Sequence, residues 1–77
     1  MTWNITNGKL AKDFVFDNYD QAFKFVSKIS TVANRQNHHP EIHFGWGFAN
    51  IEIFTHETNT ITDKDYELAK AIDELLQ

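Results

Sequence analysis

Imidazole gives and takes a proton near neutrality, its unperturbed pKa being about 6.5. All four histidines of this sequence, His38, His39, His43 and His56, fall within the stretch from Asn34 to His56. Pro40 fixes the backbone just after the adjacent pair and biases His39 towards an extended conformation. Taken alone, the pair reads as solvated loop residues after a helix that ends at His-Pro. With His56 at the end of a strand-like run, the group has the makings of a proton-transfer site. Zinc is the rival chemistry, because His39 and His43 at i,i+4 match two ligands on one helical face. Pro40 and the strand-like context oppose a helix there, and the adjacent His38 and His39 tend to point in different directions. No metal is expected.

The spacing carries a resemblance. His38-His39-Pro40, five residues, Trp46, nine residues, His56, eight residues and Asp65 resemble the signature of the pterin-4a-carbinolamine dehydratases. Thr55-His56 and the run from Thr62 through Asp65 to Asp73 look like the same family, so that the likeness extends from Trp3 to Leu76. It implies dehydration of a 4a-hydroxytetrahydropterin to the quinonoid dihydropterin, with no cofactor. His38, His39 and His56 are then the active-site imidazoles: His56 and His38 as acid and base, His39 orienting the pterin. Trp46 offers an aromatic wall, or else a core anchor. Asp65, if it reaches His56, would hold its tautomer and favour its charged form. His43 lies outside the pattern and reads as solvated. Two departures stand out. Members of the family begin with a further helix before the residue corresponding to Trp3, and they carry an acidic, lysine or histidine residue where this sequence has Asn34. A carboxylate there would approach His38, and asparagine supplies no charge, so a slower dehydratase is expected. The resemblance also implies a homodimer or homotetramer and an aromatic amino-acid hydroxylase as metabolic partner. Its alternative is a protein-binding module, since members also stabilise a transcription-factor dimer and relatives of the fold assist enzyme assembly.

Composition narrows the classes. A chain of 77 residues makes one domain, residues 1–77, able to bury about 60–65% of its unfolded surface. Forty-two per cent of the residues are hydrophobic and seven are Phe, enough for a core. A thin core makes a subunit interface a reasonable expectation. The absence of cysteine removes disulfides and thiol chemistry. A net charge of −4, with Lys and Arg scattered, opposes nucleic-acid binding. No apolar run approaches the roughly 20 residues that span a bilayer, and the first residues lack the regions of a signal peptide. No membrane association is expected, and a cytoplasmic location follows.

The elements that must position these residues are legible in order. Residues 3–6 and 9–16 form a hairpin about Asn7-Gly8, a strong two-residue turn signal. Leu10, Phe14 and Phe16 share one face of the return strand, interrupted by Lys12. Asp17 to Asp20 supply capping residues for a helix over residues 20–36, with Ala22, Phe25, Val26, Ile29, Val32 and Ala33 on its apolar arc and Phe23 outside it. The helix end places His38 and His39 in a negative potential that favours imidazolium by about 0.3–1 kcal/mol. Residues 41–45 and 48–55 read as strands, Ile51 and Ile53 facing inwards and Glu52, Phe54 and His56 outwards. Thr62-x-x-Asp65 resembles a capping box opening a last helix, whose Leu68, Ala69, Ile72, Leu75 and Leu76 form one stripe. By itself Asp65 reads as a helix-dipole acid. The order β-β-α-β-β-α predicts an α+β domain, a four-stranded antiparallel sheet with its helices on one face and open edges that a second subunit can pair with.

Overall fold

The computed structural model describes residues 2–76; Met1 and Gln77, the two ends of the expected domain, lie outside the described residues. Asn7 and Gly8 both adopt positive φ, 53° and 75°, which matches the twist of a two-residue hairpin. They fold β1 (Asn4–Thr6) onto β2 (Lys9–Val15), with Thr6 opposite Lys9. Asn18 is extended and its Oδ1 accepts the Gln21 N–H at 2.9 Å, a cap worth about 1 kcal/mol. The helix therefore starts one residue before the expected position, as α1 (Tyr19–Gln36). β3 (Glu41–Gly45), β4 (Phe48–Ile53) and α2 (Asp63–Glu74) complete the expected order. The last strand stops short of residue 55. Thr55 instead makes an isolated bridge, its N–H donating to the Thr60 carbonyl at 2.8 Å.

The antiparallel sheet runs β1-β2-β4-β3, leaving β1 and β3 as its edges. Alternation along the strands sends Leu10, Phe14, Ala49, Ile51 and Ile53 to one face. There they pack with Phe25, Ile29 and Ala33 of α1 and Leu68, Ala69 and Ile72 of α2. Lys12 also lies on this inner face, and its presence has an explanation in α2. Its Nζ is 2.8 Å from Asp73 Oδ1, whose second oxygen accepts the Trp3 indole N–H at 3.1 Å. The ammonium also lies 5.8 Å and 5.1 Å from the Trp3 and Phe14 ring centroids, so that the lysine stem fills core space while its charge is met.

Among the described residues, strand β3 keeps one side of its backbone unpaired. Gly45 and Phe48 flank the two-residue turn at Trp46-Gly47, so residues 41, 43 and 45 direct their backbone groups to β4 and those of Ile42 and Phe44 face away from the sheet. Beside that free edge, Tyr19 and Phe23 are half exposed, their ring centroids 5.6 Å and 6.4 Å from that of Phe44.

Candidate active site

The end of α1 sets the first histidine. Asn37 takes a left-handed conformation (φ 54°, ψ 40°), its N–H donates to the Asn34 carbonyl, and the His38 N–H donates to the Ala33 carbonyl at 3.1 Å. This pattern of bonds closes a helix by satisfying its last carbonyls. It also pins His38 beneath the final turn, while half-buried Pro40 leads the chain into β3.

His38 is 9% exposed and Asp65, in the first turn of α2, is fully buried. The His38 Nε2 lies 2.5 Å from Asp65 Oδ1. Asp65 Oδ2 accepts the Thr55 hydroxyl at 2.9 Å and the Thr62 N–H at 2.7 Å. One carboxylate thereby joins the exit of α1, the end of the β4 chain and the start of α2. An ionised carboxylate only accepts, so Nε2 of His38 carries a proton and, in the neutral ring, Nδ1 holds the lone pair. Every buried side-chain nitrogen and oxygen among the described residues has a partner, and Nδ1 has none among those residues. It is therefore the nitrogen that meets solvent or a ligand. Burial, the largest influence on Asp65, pushes its carboxyl up. The hydrogen bonds from His38, the Thr62 N–H and Thr55, with the charge on His38, outweigh burial and hold it below the ordinary carboxylate range.

The other histidines have different partners. His39 is exposed, and its Nε2 lies 2.8 Å from Asn34 Oδ1. His56 is exposed and its ring lies against Phe54, centroids 4.3 Å apart, with Lys9 Nζ 4.8 Å from the Phe54 centroid. Because Thr55 is tied to Asp65, the backbone that carries His56 is anchored at the same corner. An open cleft of about 390 Å³ adjoins it, lined by Thr55, Glu57, Thr58, Thr62, Asp63 and Lys64.

Several expectations are corrected. Asp65 pairs with His38, not His56, because the N-terminus of α2 packs under the end of α1 while His56 points outwards. Asn34 pairs with His39, not His38: the left-handed turn at Asn37 carries His38 inwards and leaves His39 beside the last helical turn. Trp46 is 70% exposed, which removes the core-anchor reading. It sits beyond the far end of β3, about 17 Å along a five-residue strand from the His38-His39 end. The zinc reading loses its geometry too, since His43 lies on a strand with its ring 5.5 Å from Phe48. Thr62 was legible only as a cap; its hydroxyl is 2.7 Å from that of Thr55. Neither periodicity nor spacing signals this pairing, which depends on how the 56–61 loop closes.

The family described as Pterin 4 alpha carbinolamine dehydratase matches residues 1–75. A provisionally named pterin-4-alpha-carbinolamine dehydratase of Rubrobacter xylanophilus is 42% identical over 66 residues, 86% of this chain and 62% of that relative. A protein of the same name from Rickettsia canadensis is 38% identical over 72 residues, covering 92% and 66%. Another from Sulfurisphaera tokodaii is 36% identical over 74 residues, covering 96% and 80%. The chain thus spans less than two thirds of the first two relatives and most of the third. In fold it is similar to a transcriptional coactivator/pterin dehydratase from Brucella melitensis, with a TM-score of 0.88 and 23% identity over 94% of this chain and 79% of that one. It is also similar to a pterin dehydratase-like protein described as a RuBisCO assembly factor of the alpha-carboxysome, with a TM-score of 0.80 and 23% identity over 97% and 89%. At that identity the two structures speak for the fold, and the sequence matches speak for descent: this chain belongs to the pterin-4-alpha-carbinolamine dehydratase family.

Proposed function

We propose that this chain dehydrates a 4a-hydroxytetrahydropterin to the quinonoid dihydropterin in pterin recycling. The observation that carries the reading is the buried Asp65–His38 pair, which leaves one imidazole nitrogen open. The reaction needs a proton delivered to the departing oxygen at carbon 4a and a proton removed from the neighbouring ring nitrogen. The electron pair of that N–H bond forms the C=N bond as the C–O bond breaks, and water leaves. Both steps are proton transfers, the chemistry imidazole performs best at neutral pH. His38, working through Nδ1, and His56 are the acid and base. His39, steadied by Asn34, orients the pterin, and Pro40 and Thr55 support the histidines that they follow or precede. The carbinolamine is what an aromatic amino-acid hydroxylase releases, which makes such an enzyme the metabolic partner in the cytoplasm. No helix among the described residues is long and apolar enough to cross a membrane.

The protein acts as a homodimer or homotetramer. The free backbone groups of Ile42 and Phe44, with Tyr19 and Phe23 alongside, suit pairing with a second copy. The same exposed aromatics favour one second reading, a protein-binding module on this fold. The rate at which freshly generated 4a-hydroxytetrahydropterin decays with and without the protein separates the two. Acceleration over the spontaneous rate supports the enzyme, and an unchanged rate leaves the binding module.

A further inference from the structure

We propose that Thr55 is a positioning residue of this site: its hydroxyl, oriented by Thr62, holds the Asp65 carboxylate so that His38 keeps Nδ1 free for proton transfer. The inference rests on the reading of His38 as an acid/base group.

The hydrogen count leaves no freedom. Asp65 Oδ2 cannot donate, so the single Thr55 proton must go to it across 2.9 Å. Thr55 Oγ1 is then only an acceptor towards Thr62 Oγ1 at 2.7 Å, and the Thr62 hydroxyl must donate. The chain of donation runs Thr62 to Thr55 to Asp65, and from the other side His38 Nε2–H to Asp65 Oδ1. Two donors on Oδ2, the Thr55 hydroxyl and the Thr62 N–H at 2.7 Å, fix the plane of the carboxylate. That plane aims Oδ1 at His38. In a buried network, hydrogen bonds to an ionised group are the strong ones.

The capping of α2 does not account for Thr55. Thr62 and Asp65 supply the capping box, and neither needs a hydroxyl on a residue of another segment. Thr55 is 5% exposed, and valine would fill the same space without a polar atom to satisfy. A buried hydroxyl beside a buried carboxylate, on the residue that precedes His56, is accounted for by control of that carboxylate. Thr55 thus links the two proposed acid/base histidines: its side chain orients His38 through Asp65, and its backbone carries His56.

The test uses the full chain with Thr55→Val and Thr55→Ser. In nitrogen NMR of the histidine side chains, neutral His38 of the wild type should show the Nε2–H tautomer. Thr55→Val should mix the two tautomers and move the Asp65 carboxyl titration upwards, and Thr55→Ser should restore both. In the dehydration assay Thr55→Val should lower kcat on the order of tenfold, the effect of one hydrogen bond to a charged group, with little change in KM. A wild-type His38 tautomer in folded Thr55→Val would overturn the inference, even if that variant melts earlier. If Thr55→Val does not fold, Thr62→Val decides: it frees the Thr55 hydroxyl to turn and should mix the tautomers partially, and an unmixed spectrum would be equally fatal. The tautomer is read without pterin. If the variants shift the tautomer as expected yet the wild type fails to speed dehydration, the proposed reaction is overturned and the Thr55–Asp65–His38 coupling stands.

Discussion

His38 and Asp65, 27 residues apart in sequence, form a buried pair with Nε2 and Oδ1 separated by 2.5 Å. The imidazole comes from beyond the C-terminus of α1 and the carboxylate from the first turn of α2. The pair therefore exists only when the two helices are docked. Packing of the fold and assembly of the pair are one event.

Loss of either proposed acid/base imidazole should be nearly complete. His38→Ala and His56→Ala are expected to lower kcat/KM about a hundredfold or more, within the 10²–10⁴ range for such groups, while circular dichroism shows a folded protein. Activity should survive chelators. Near-normal rates in both variants would remove the imidazole assignment.

Asp65→Asn is close in shape but wrong in hydrogen-bond polarity. Three donors converge on the carboxylate, and an amide must turn its own NH₂ towards at least one of them. Denaturant titration should show a loss of about 1–3 kcal/mol. The rate should fall with it, and by more than in Thr55→Val.

The same carboxylate makes stability depend on acid. Its pKa is lower in the folded chain than in the unfolded one, so in the acid range the unfolded state binds more protons and stability rises with pH. The contribution is complete above the unfolded value, near 3.8, and is lost as pH falls through the lower folded value. Melting temperature measured downwards from pH 5 should drop more steeply in the wild type than in Asp65→Asn. Parallel curves would show that Asp65 contributes nothing to acid sensitivity.

Asn34 bears on His39. Asn34→Glu places a carboxylate within reach of His39 Nε2 and should stabilise its protonated form. The NMR titration of His39 should move to higher pH while that of His38 stays. If orientation of pterin is the work of His39, KM should change more than kcat. Movement of the His38 titration instead would restore the sequence-based pairing.

Sedimentation at micromolar concentration should show at least a dimer. Phe23 is 51% exposed, and an exposed substitution on a monomer usually costs within about 0.5 kcal/mol. Phe23→Glu should therefore dissociate the assembly if Phe23 lies in the contact, and be near neutral if it does not. A folded wild-type monomer at that concentration would refute the oligomer outright.

The secondary structure of this protein was legible because its signals are local. Asn7-Gly8 demands a hairpin, the arc from Ala22 to Ala33 demands an amphipathic helix, and the alternation at Ile51 and Ile53 demands a half-buried strand. The family signature was legible as well, since it is a matter of residue types at fixed separations. Which of those residues touch was not. Separation along the chain says nothing about which side of a helix end a loop residue leaves by. The left-handed turn at Asn37 sends His38 inwards to Asp65 and His39 outwards to Asn34, where the sequence pointed to His56 for Asp65 and to His38 for Asn34. Lys12 looked like a defect in an apolar face until Asp73 came across from α2 to meet it. Thr55 and Thr62 were ordinary loop and cap residues until the segment between them closed over a shared carboxylate. Residue types and their local pattern set the elements and the chemistry available. Tertiary packing alone decided which imidazole receives the buried charge, because that depends on the docking of α2 against α1, a contact between segments whose patterns are each complete without it.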